Sequence, residues 1–327
     1  MIAFIFPGQG AQKVGMGRRL AEAYPEARAV FDEADEALRP SLEPDIEVLP
    51  LSTLIFEGPE SDLILTEYAQ PAILTVSIAA YRVLVARGIT PAYVAGHSLG
   101  EYSANVAADT MAFADAVRIV RRRGMYMQEA VPVGAGSMAA ILGLDAEIVM
   151  RACREAAEGD VVSPANINGG GQVVIAGTTA AVTRAGERAK ALGARRVIPL
   201  AVSAPFHCAL LKPAEERLEP ELRALHVHNP RVPVVANVDA EVKRDAASAV
   251  DALVKQVSAP VRWEQVVRRL ASEGVTTYVE VGPGTVLSGL VRKIHKEATV
   301  FNVAEPEDLA ALEEAFASER FKVQSAK

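Results

Sequence analysis

Three observations predict an α/β fold built on two sheets. Short apolar runs alternate with helical periodicity almost throughout the chain, as they do where helices pack on a sheet. The stretch 131–199 keeps a rhythm of its own, strand-helix-strand-strand-helix-strand, the ferredoxin-like unit. The 327 residues are 50% apolar and only 5% aromatic, enough core for one large or two modest domains with alanine-rich helices against sheets.

In chain order, Ile2–Phe6 reads as a buried strand that ends in the loop Pro7-Gly8-Gln9-Gly10. It lacks a basic flank and breaks at Pro7, so it does not read as a signal peptide. Pro71 suits the first position of a helix, Ala72–Ala86, that Gly88 stops. Ala92–Gly96 is a strand, and a helix follows Ser98 directly. Phe113–Met127 is an amphipathic helix.

The small unit follows: strand Ser137–Gly143, helix Asp145–Glu158, strand Val161–Asn168, turn Gly169–Gly171, strand Gln172–Gly177, helix Thr179–Leu192 and strand Arg195–Pro199. Beyond it come strands at Val232–Asn237, Thr277–Val281 and Thr299–Asn302, with helices at Ala247–Val257, Trp263–Glu273 and Asp308–Phe316. The expected domains are therefore a larger α/β part, 1–130 with 200–327, and the inserted ferredoxin-like part, 131–199.

Composition excludes several functions. Net charge is −7 with Lys and Arg dispersed, which argues against a nucleic-acid footprint. Cys153 and Cys208 make no disulfide framework, and no metal-ligand spacing is present, so no metal site and a reduced, cytoplasmic setting are expected. No apolar run reads as a membrane span, so no membrane partner is expected.

The chemistry centres on Gly96-His97-Ser98-Leu99-Gly100, the G-x-S-x-G nucleophile elbow. A sharp strand-to-helix turn leaves no room for side chains at the flanking positions and presents the hydroxyl at a helix N-terminus. The larger part is accordingly expected to be α/β-hydrolase-like. The same pattern also fits a serine that merely caps a helix.

A serine nucleophile needs a base. Of the five histidines, His226 and His228 fit a solvated loop and His295 a charged helical face. His97 adjoins the serine, but neighbouring side chains at an elbow diverge, which leaves it to line the pocket. His207, in the loop "VSAPFHCALL" between a strand and a helix, remains, with a capping histidine as the alternative. No acidic residue has an obvious claim as its orienting partner.

On the Phe113–Met127 helix, Phe113, Ala116, Val117, Val120, Gly124 and Met127 form one stripe. Arg122 points to the polar side with Arg118, Arg121 lies off the stripe, and Arg123 sits at its edge, the arginine drawn inward. A partly buried guanidinium needs an anion, either a structural Asp or Glu or a bound one.

These segments carry a resemblance. "FPGQG", "QPAI", "GHSLGEYSA", "RRGMYMQEAVP", "NGGGQVVIAG", "SAPFHC", "QVSAPVRW" and "VGPGTVLSGL" stand in the order seen in malonyl-CoA:acyl carrier protein transacylases, over nearly the whole chain. The resemblance implies ping-pong transfer of malonyl from coenzyme A to the serine, then to the phosphopantetheine thiol of acyl carrier protein, in type II fatty acid synthesis. It implies no metal or redox cofactor, coenzyme A thioester being the substrate.

By position, it makes Ser98 the nucleophile, His207 the base and later the acid, and the backbone carbonyl of Gln256 the group that orients the imidazole. The oxyanion hole falls to the N–H groups of Leu99 and Gln9, and the malonyl carboxylate to Arg123. His97 and Phe206 shape the pocket, the aromatic before the base resembling malonyl-selective enzymes. Asn166 and Gly169–Gly171 are placed in the groove or in an ordinary turn.

A monomer is expected. A basic docking patch for the acidic carrier protein has candidates in the arginines of 118–122 and in Arg292, Lys293 and Lys296. Residues 39–53, "RPSLEPDIEVLPLST", are longer than the usual family segment and read as an exposed loop. A serine esterase or thioesterase shares elbow, base and oxyanion hole, and Arg123 is the feature that favours transfer of a carboxylated acyl group. A non-catalytic interaction module is disfavoured because Ser98 and His207 are both intact.

Overall fold

A computed structural model describes residues 1–39, 49–202 and 204–325. Numbered along the chain, the strands it describes fall into two sheets. The first contains β1 (Ile2–Phe6), β2 (Tyr93–Gly96), β7 (Val234–Val235), β8 (Val242–Lys243), β9 (Thr277–Val281) and β10 (Thr299–Val303), in the order β10-β9-β1-β2-β7-β8. It is parallel from β10 to β7, with β8 antiparallel at its edge. The second contains β3 (Gly136–Leu142), β4 (Val162–Gly169), β5 (Gln172–Thr178) and β6 (Arg196–Pro199), antiparallel in the order β4-β5-β3-β6.

The helices ahead of the elbow are α1 (Arg18–Ala23), α2 (Pro25–Leu38), α3 (Leu51–Glu57), α4 (Glu60–Leu63) and α5 (Thr66–Ala86). After it come α6 (Gly100–Ala107) and α7 (Phe113–Glu129), then α8 (Ala146–Ala156) and α9 (Thr179–Ala191) against the second sheet. The chain closes with α10 (Lys212–Arg223), α11 (Ala246–Gln256), α12 (Trp263–Ser272), α13 (Val286–Ile294) and α14 (Pro306–Ser325).

Period-two alternation gives each sheet two buried faces. On β1, Phe4 and Phe6 join the core shared with α2, α5, α6 and α7, while Ala3 and Ile5 join the core under α12 and α13. On β5, Val174 and Ala176 face the main core, and Val173 and Ile175 pack with Val149, Ala152 and Val182 of α8 and α9. This is the α/β architecture expected from the alternation.

Four expectations need correction. α5 starts at Thr66, not after Pro71: Thr66, Ala69 and Gln70 are buried, and that burial outweighs the backbone hydrogen bond Pro71 cannot donate. By length and hydropathy α5 also qualifies as a bilayer span, against expectation, but 78% of that window is buried inside the protein. The strand expected at Val232–Asn237 shrinks to Val234–Val235, because Pro233 offers only its carbonyl, to Val94 N–H.

The exposed loop expected at 39–53 is also part helix. Residues 40–48 lie outside the described residues, but Leu51 opens α3 and is buried, as are Leu54 and Ile55 one turn on.

α5 and α7 pack backbone to backbone at Gly124, where an added Cβ would stand 2.6 Å from Thr66 O and 2.8 Å from Glu67 Cα. Neither neighbour is a side-chain end that can swing away. Gly124→Ala is therefore expected to lower unfolding free energy by roughly 1–3 kcal/mol despite alanine's better helix propensity. Urea titration of both proteins checks the sign.

Candidate active site

β1 and β2 run parallel with Phe6 opposite Gly96, so the chain leaves the sheet at two adjacent points of its C-terminal edge. The first exit is the Pro7–Gly10 loop and the second is the elbow. Ser98 sits at φ 51°, in the left-handed region, on the sharp turn into α6. A Cβ on Gly96 would fall 1.9 Å from Gly100 C, and one on Gly100 would fall 2.0 Å from Phe6 O. The glycine spacing is thus a packing requirement. Gly8 meets the same limit, its Cβ position lying 2.4 Å from His97 O, which is what lets Gln9 pass beside the elbow.

Ser98 Oγ lies 2.7 Å from His207 Nε2, and His207 Nδ1 lies 2.9 Å from the backbone carbonyl of Gln256. A carbonyl only accepts, so Nδ1 carries the proton and Nε2 presents its lone pair to the serine hydroxyl. His207 is buried, and burial, followed by the Arg123 cation, pulls its pKa from 6.5 down to about 3. The imidazole is therefore neutral at pH 7, in the state that accepts a proton. The N–H groups of Gln9 and Leu99 have no acceptor among the described residues.

Arg123 is 1% exposed, and none of its hydrogen-bond acceptors is a carboxylate. Nη1 donates to Gln70 Oε1 at 2.8 Å, and Nη2 donates to Gln256 Oε1 at 2.8 Å and to Ser98 Oγ at 3.2 Å. Nε has no partner among the described residues, and the guanidinium lies 5.3 Å from the Tyr102 ring centre. Burial lowers its pKa, yet a guanidinium stays charged in proteins. A cation held in this way beside a serine is a seat for an anion.

Ser98, His207 and Arg123 line one cavity of about 540 Å³ together with Gln9, Gln70, His97, Met127, Met138, Asn166, Leu200 and Phe206. Its walls are mostly apolar and its polar groups converge on the serine, as in sites built for small molecules. His97 Nε2 donates to Asn168 Oδ1 across 2.9 Å and the ring rests against Trp263, and burial holds its pKa below the usual imidazole range.

A family model described as an acyl transferase domain matches residues 3–313. The malonyl CoA-acyl carrier protein transacylase of Bacillus subtilis is 50% identical over 309 residues, 94% of this chain and 95% of its own. The Escherichia coli enzyme of the same name is 50% identical over 310 residues, 94% of this chain and 97% of its own. This chain belongs to the malonyl CoA-acyl carrier protein transacylase family. It is an acyltransferase. The crystal structure of an acyl carrier protein S-malonyltransferase from Vibrio cholerae superposes with a TM-score of 0.91 at 45% identity, covering 95% of this chain and 99% of that one. A malonyl-transacylase solved in complex with a type II PKS acyl-carrier protein gives 0.90 at 45% identity, covering 94% and 97%.

Within this transacylase the sequence-derived candidates separate clearly. Ser98, His207, Gln256, Arg123, Gln9, His97, Phe206 and Asn166 come together, and Leu99 is buried next to the serine. The turn Gly169–Gly171 does not join them; it lines a separate groove with Arg262 and Lys293, because alternation along β4 sends Asn166 and Asn168 to one side and Ile167 and Gly169 to the other. His226 and His228 are exposed and stacked edge to face on each other, and His295 ends α13 and meets Tyr278 Oη instead of forming a charged helical face.

Among the arginines, Arg122 pairs with Glu221, Arg118 with Asp115, and Arg121 lies over Tyr68.

Four polar residues of the site were not picked out in the sequence: Gln70, Glu101, Asn168 and Asn237. Asn237 Oδ1 accepts the Ser98 N–H at 2.7 Å and its Nδ2 donates to Gly96 O at 2.7 Å, bracketing the elbow. One available signal was Glu101, the acid at the start of α6, a helix whose every residue is buried.

The depressed pKa of His207 has a measurable consequence. The native imidazole takes its proton near 3 and an unfolded one near 6.5, so the stability it contributes is complete above about 6.5 and is lost as pH falls toward 3. The base itself stays available through the same window. Labelling of Ser98 by a fluorophosphonate is expected to keep a constant rate between about pH 7 and pH 5. A rate already halved near 6.5 would show an ordinary, solvated imidazole.

Proposed function

We propose that this transacylase carries malonyl from coenzyme A to the phosphopantetheine thiol of acyl carrier protein by a ping-pong route through malonyl-Ser98. The observation that carries the reading is Arg123, a buried cation without a carboxylate acceptor, with Nη2 3.2 Å from Ser98 Oγ. A malonyl group esterified to the serine carries its free carboxylate two bonds from the reacting carbonyl, within reach of that guanidinium. Relatives whose names specify the same reaction, matched over 94% of this chain, support it.

The steps follow from the hydrogen bonds. As Ser98 Oγ attacks the thioester carbonyl, its proton passes to His207 Nε2, and the oxyanion that forms is met by the N–H groups of Leu99 and Gln9. The C–S bond breaks, and His207 returns the proton to the departing coenzyme A thiolate. The phosphopantetheine thiol then gives its proton to the same nitrogen and attacks the malonyl ester. Collapse releases malonyl-carrier protein, and His207 reprotonates Ser98 Oγ. His97, Phe206 and Asn166 bound the acyl pocket.

The protein groups in this sequence, Ser98, His207, Arg123 and the two N–H donors, come from a single chain, and we read the working unit as a monomer that takes no bound cofactor. Water can discharge the same ester, so a hydrolase shares the first half of the route. The anion seat supplied by Arg123 is what makes malonyl the preferred cargo.

Intact-mass analysis after mixing with malonyl-CoA is expected to show one malonyl adduct on Ser98 and a stoichiometric burst of coenzyme A, discharged on adding carrier protein. Continuous coenzyme A release without an acceptor would point to a hydrolase. Arg123→Ala removes one half of a buried charge pair, about 3–5 kcal/mol, or on the order of 10²–10⁴ in kcat/KM for malonyl-CoA. Acetyl-CoA, which has no carboxylate, is expected to lose far less. Equal losses on the two thioesters would remove Arg123 from substrate recognition.

A further inference from the structure

Glu101 is 1% exposed and lies three residues after Ser98, whose carbonyl takes its backbone N–H, while its carboxyl meets Asn237 and Gln256 and no reacting group. A single oxygen, Oε2, accepts the Asn237 backbone N–H at 2.9 Å and the Gln256 side-chain N–H at 2.7 Å. Both partners are one bond from the reaction. Asn237 holds the Ser98 N–H through Oδ1 and the Gly96 carbonyl through Nδ2. Gln256 holds His207 Nδ1 through its backbone carbonyl, the Ser98 carbonyl through Nε2 and Arg123 through Oε1.

We propose that Glu101 is a positioning residue for acyl transfer. By drawing Asn237 and Gln256 onto one oxygen atom it fixes the elbow that carries Ser98 and the carbonyl that aims His207. The proposal rests on the reading of Ser98 as the acylated group.

The geometry explains why a carboxyl stands there. The segment holding Asn237 leaves β7 and the segment holding Gln256 ends α11, and the chain links neither of them locally to the elbow. One acceptor with two lone-pair directions ties both down at once. The rest of the site follows from those two anchors: Ser98 and His207 both occupy left-handed backbone, at φ 51° and φ 59°, conformations that persist only when the surroundings over-determine them. Burial pushes the Glu101 pKa up to about 7, and the Gln256 and Asn237 donors act against that rise. An uncompensated carboxyl would be costly at this position, so the two hydrogen bonds are also what make its burial tolerable.

Because both donors meet the same oxygen, Glu101→Gln can keep both contacts through its amide oxygen, whereas Glu101→Ala loses them. Wild type is first mixed with malonyl-CoA; absence of an acyl-serine in wild type would sink the functional reading and this proposal with it, whereas the variants below test the proposal alone. Active sites in each variant are then counted by fluorophosphonate labelling, so that kcat refers to sites able to react and misfolded protein is excluded. Glu101→Ala is expected to lower kcat per active site on the order of 10–100-fold with both malonyl-CoA and acetyl-CoA, with KM changed far less, as for misplaced reacting groups. Glu101→Gln is expected to recover most of that loss. The proposal fails if Glu101→Ala turns over at the wild-type rate per labelled site, or if Glu101→Gln is as slow as Glu101→Ala.

Discussion

The site depends on what one glutamine does with all of its polar groups. Gln256 is fully buried and makes contacts in four directions: its carbonyl to His207 Nδ1, its Oε1 to Arg123, and its Nε2 to the Ser98 carbonyl and to Glu101. An amide lies between a buried cation at its oxygen end and a buried acid at its nitrogen end, its dipole aligned with both. A carboxylate in its place would close a direct ion pair on Arg123, and an incoming anion would then have to compete with it. With an amide in between, Arg123 is held in position and its charge stays available to the cavity.

The same arrangement settles how strong the base is. In a Ser-His-Asp triad the acid stabilises the imidazolium. Here burial, followed by the Arg123 cation, pulls the imidazole pKa down to about 3, and the Gln256 carbonyl only partly opposes that fall. That is a weak base, and it suits the chemistry proposed. A thiolate, with a thiol pKa near 8.5, leaves far more readily than an amine, so thioester exchange asks less of the proton donor and acceptor than peptide cleavage does. The orientation of the imidazole is kept by the Gln256 carbonyl, and the buried acid Glu101 meets the Gln256 side chain, not the imidazole.

What could be read from the sequence was what local rules govern. Periods of two and 3.6 gave the strands and helices, and the hydrophobic stripe on α7 singled out Arg123, now 1% exposed. Steric demands at the elbow gave Ser98. Elimination among the histidines gave His207, and the family resemblance gave the carbonyl of Gln256. The missed residues act over long separations: Asn237 and Gln256 meet Glu101 from 136 and 155 positions away. No periodicity records such a contact. Pro71 misled for a related reason, since it marks a helix start only if nothing buried precedes it. Gln70, the residue just before it, is a partner of Arg123 because α5 continues through the proline. The turn Gly169–Gly171 was drawn toward the site by composition and excluded from it by strand alternation.

The two sheets divide the recognition between them. From the first sheet and its helices come the elbow, the base loop and the α5–α7 pair that carries Gln70 and Arg123. From the second come Met138 on β3 and Asn166 on β4, while Asn168 tethers His97 beside Ser98. β4 is tied back by Asn166 opposite Val261 and by Ile167 N–H to Val261 O, only a few residues beyond Gln256. Gln256 therefore belongs to the segment that also anchors the second sheet. The cavity wall on β4 and the carbonyl that meets His207 are in this way joined by one short backbone stretch, 256–261.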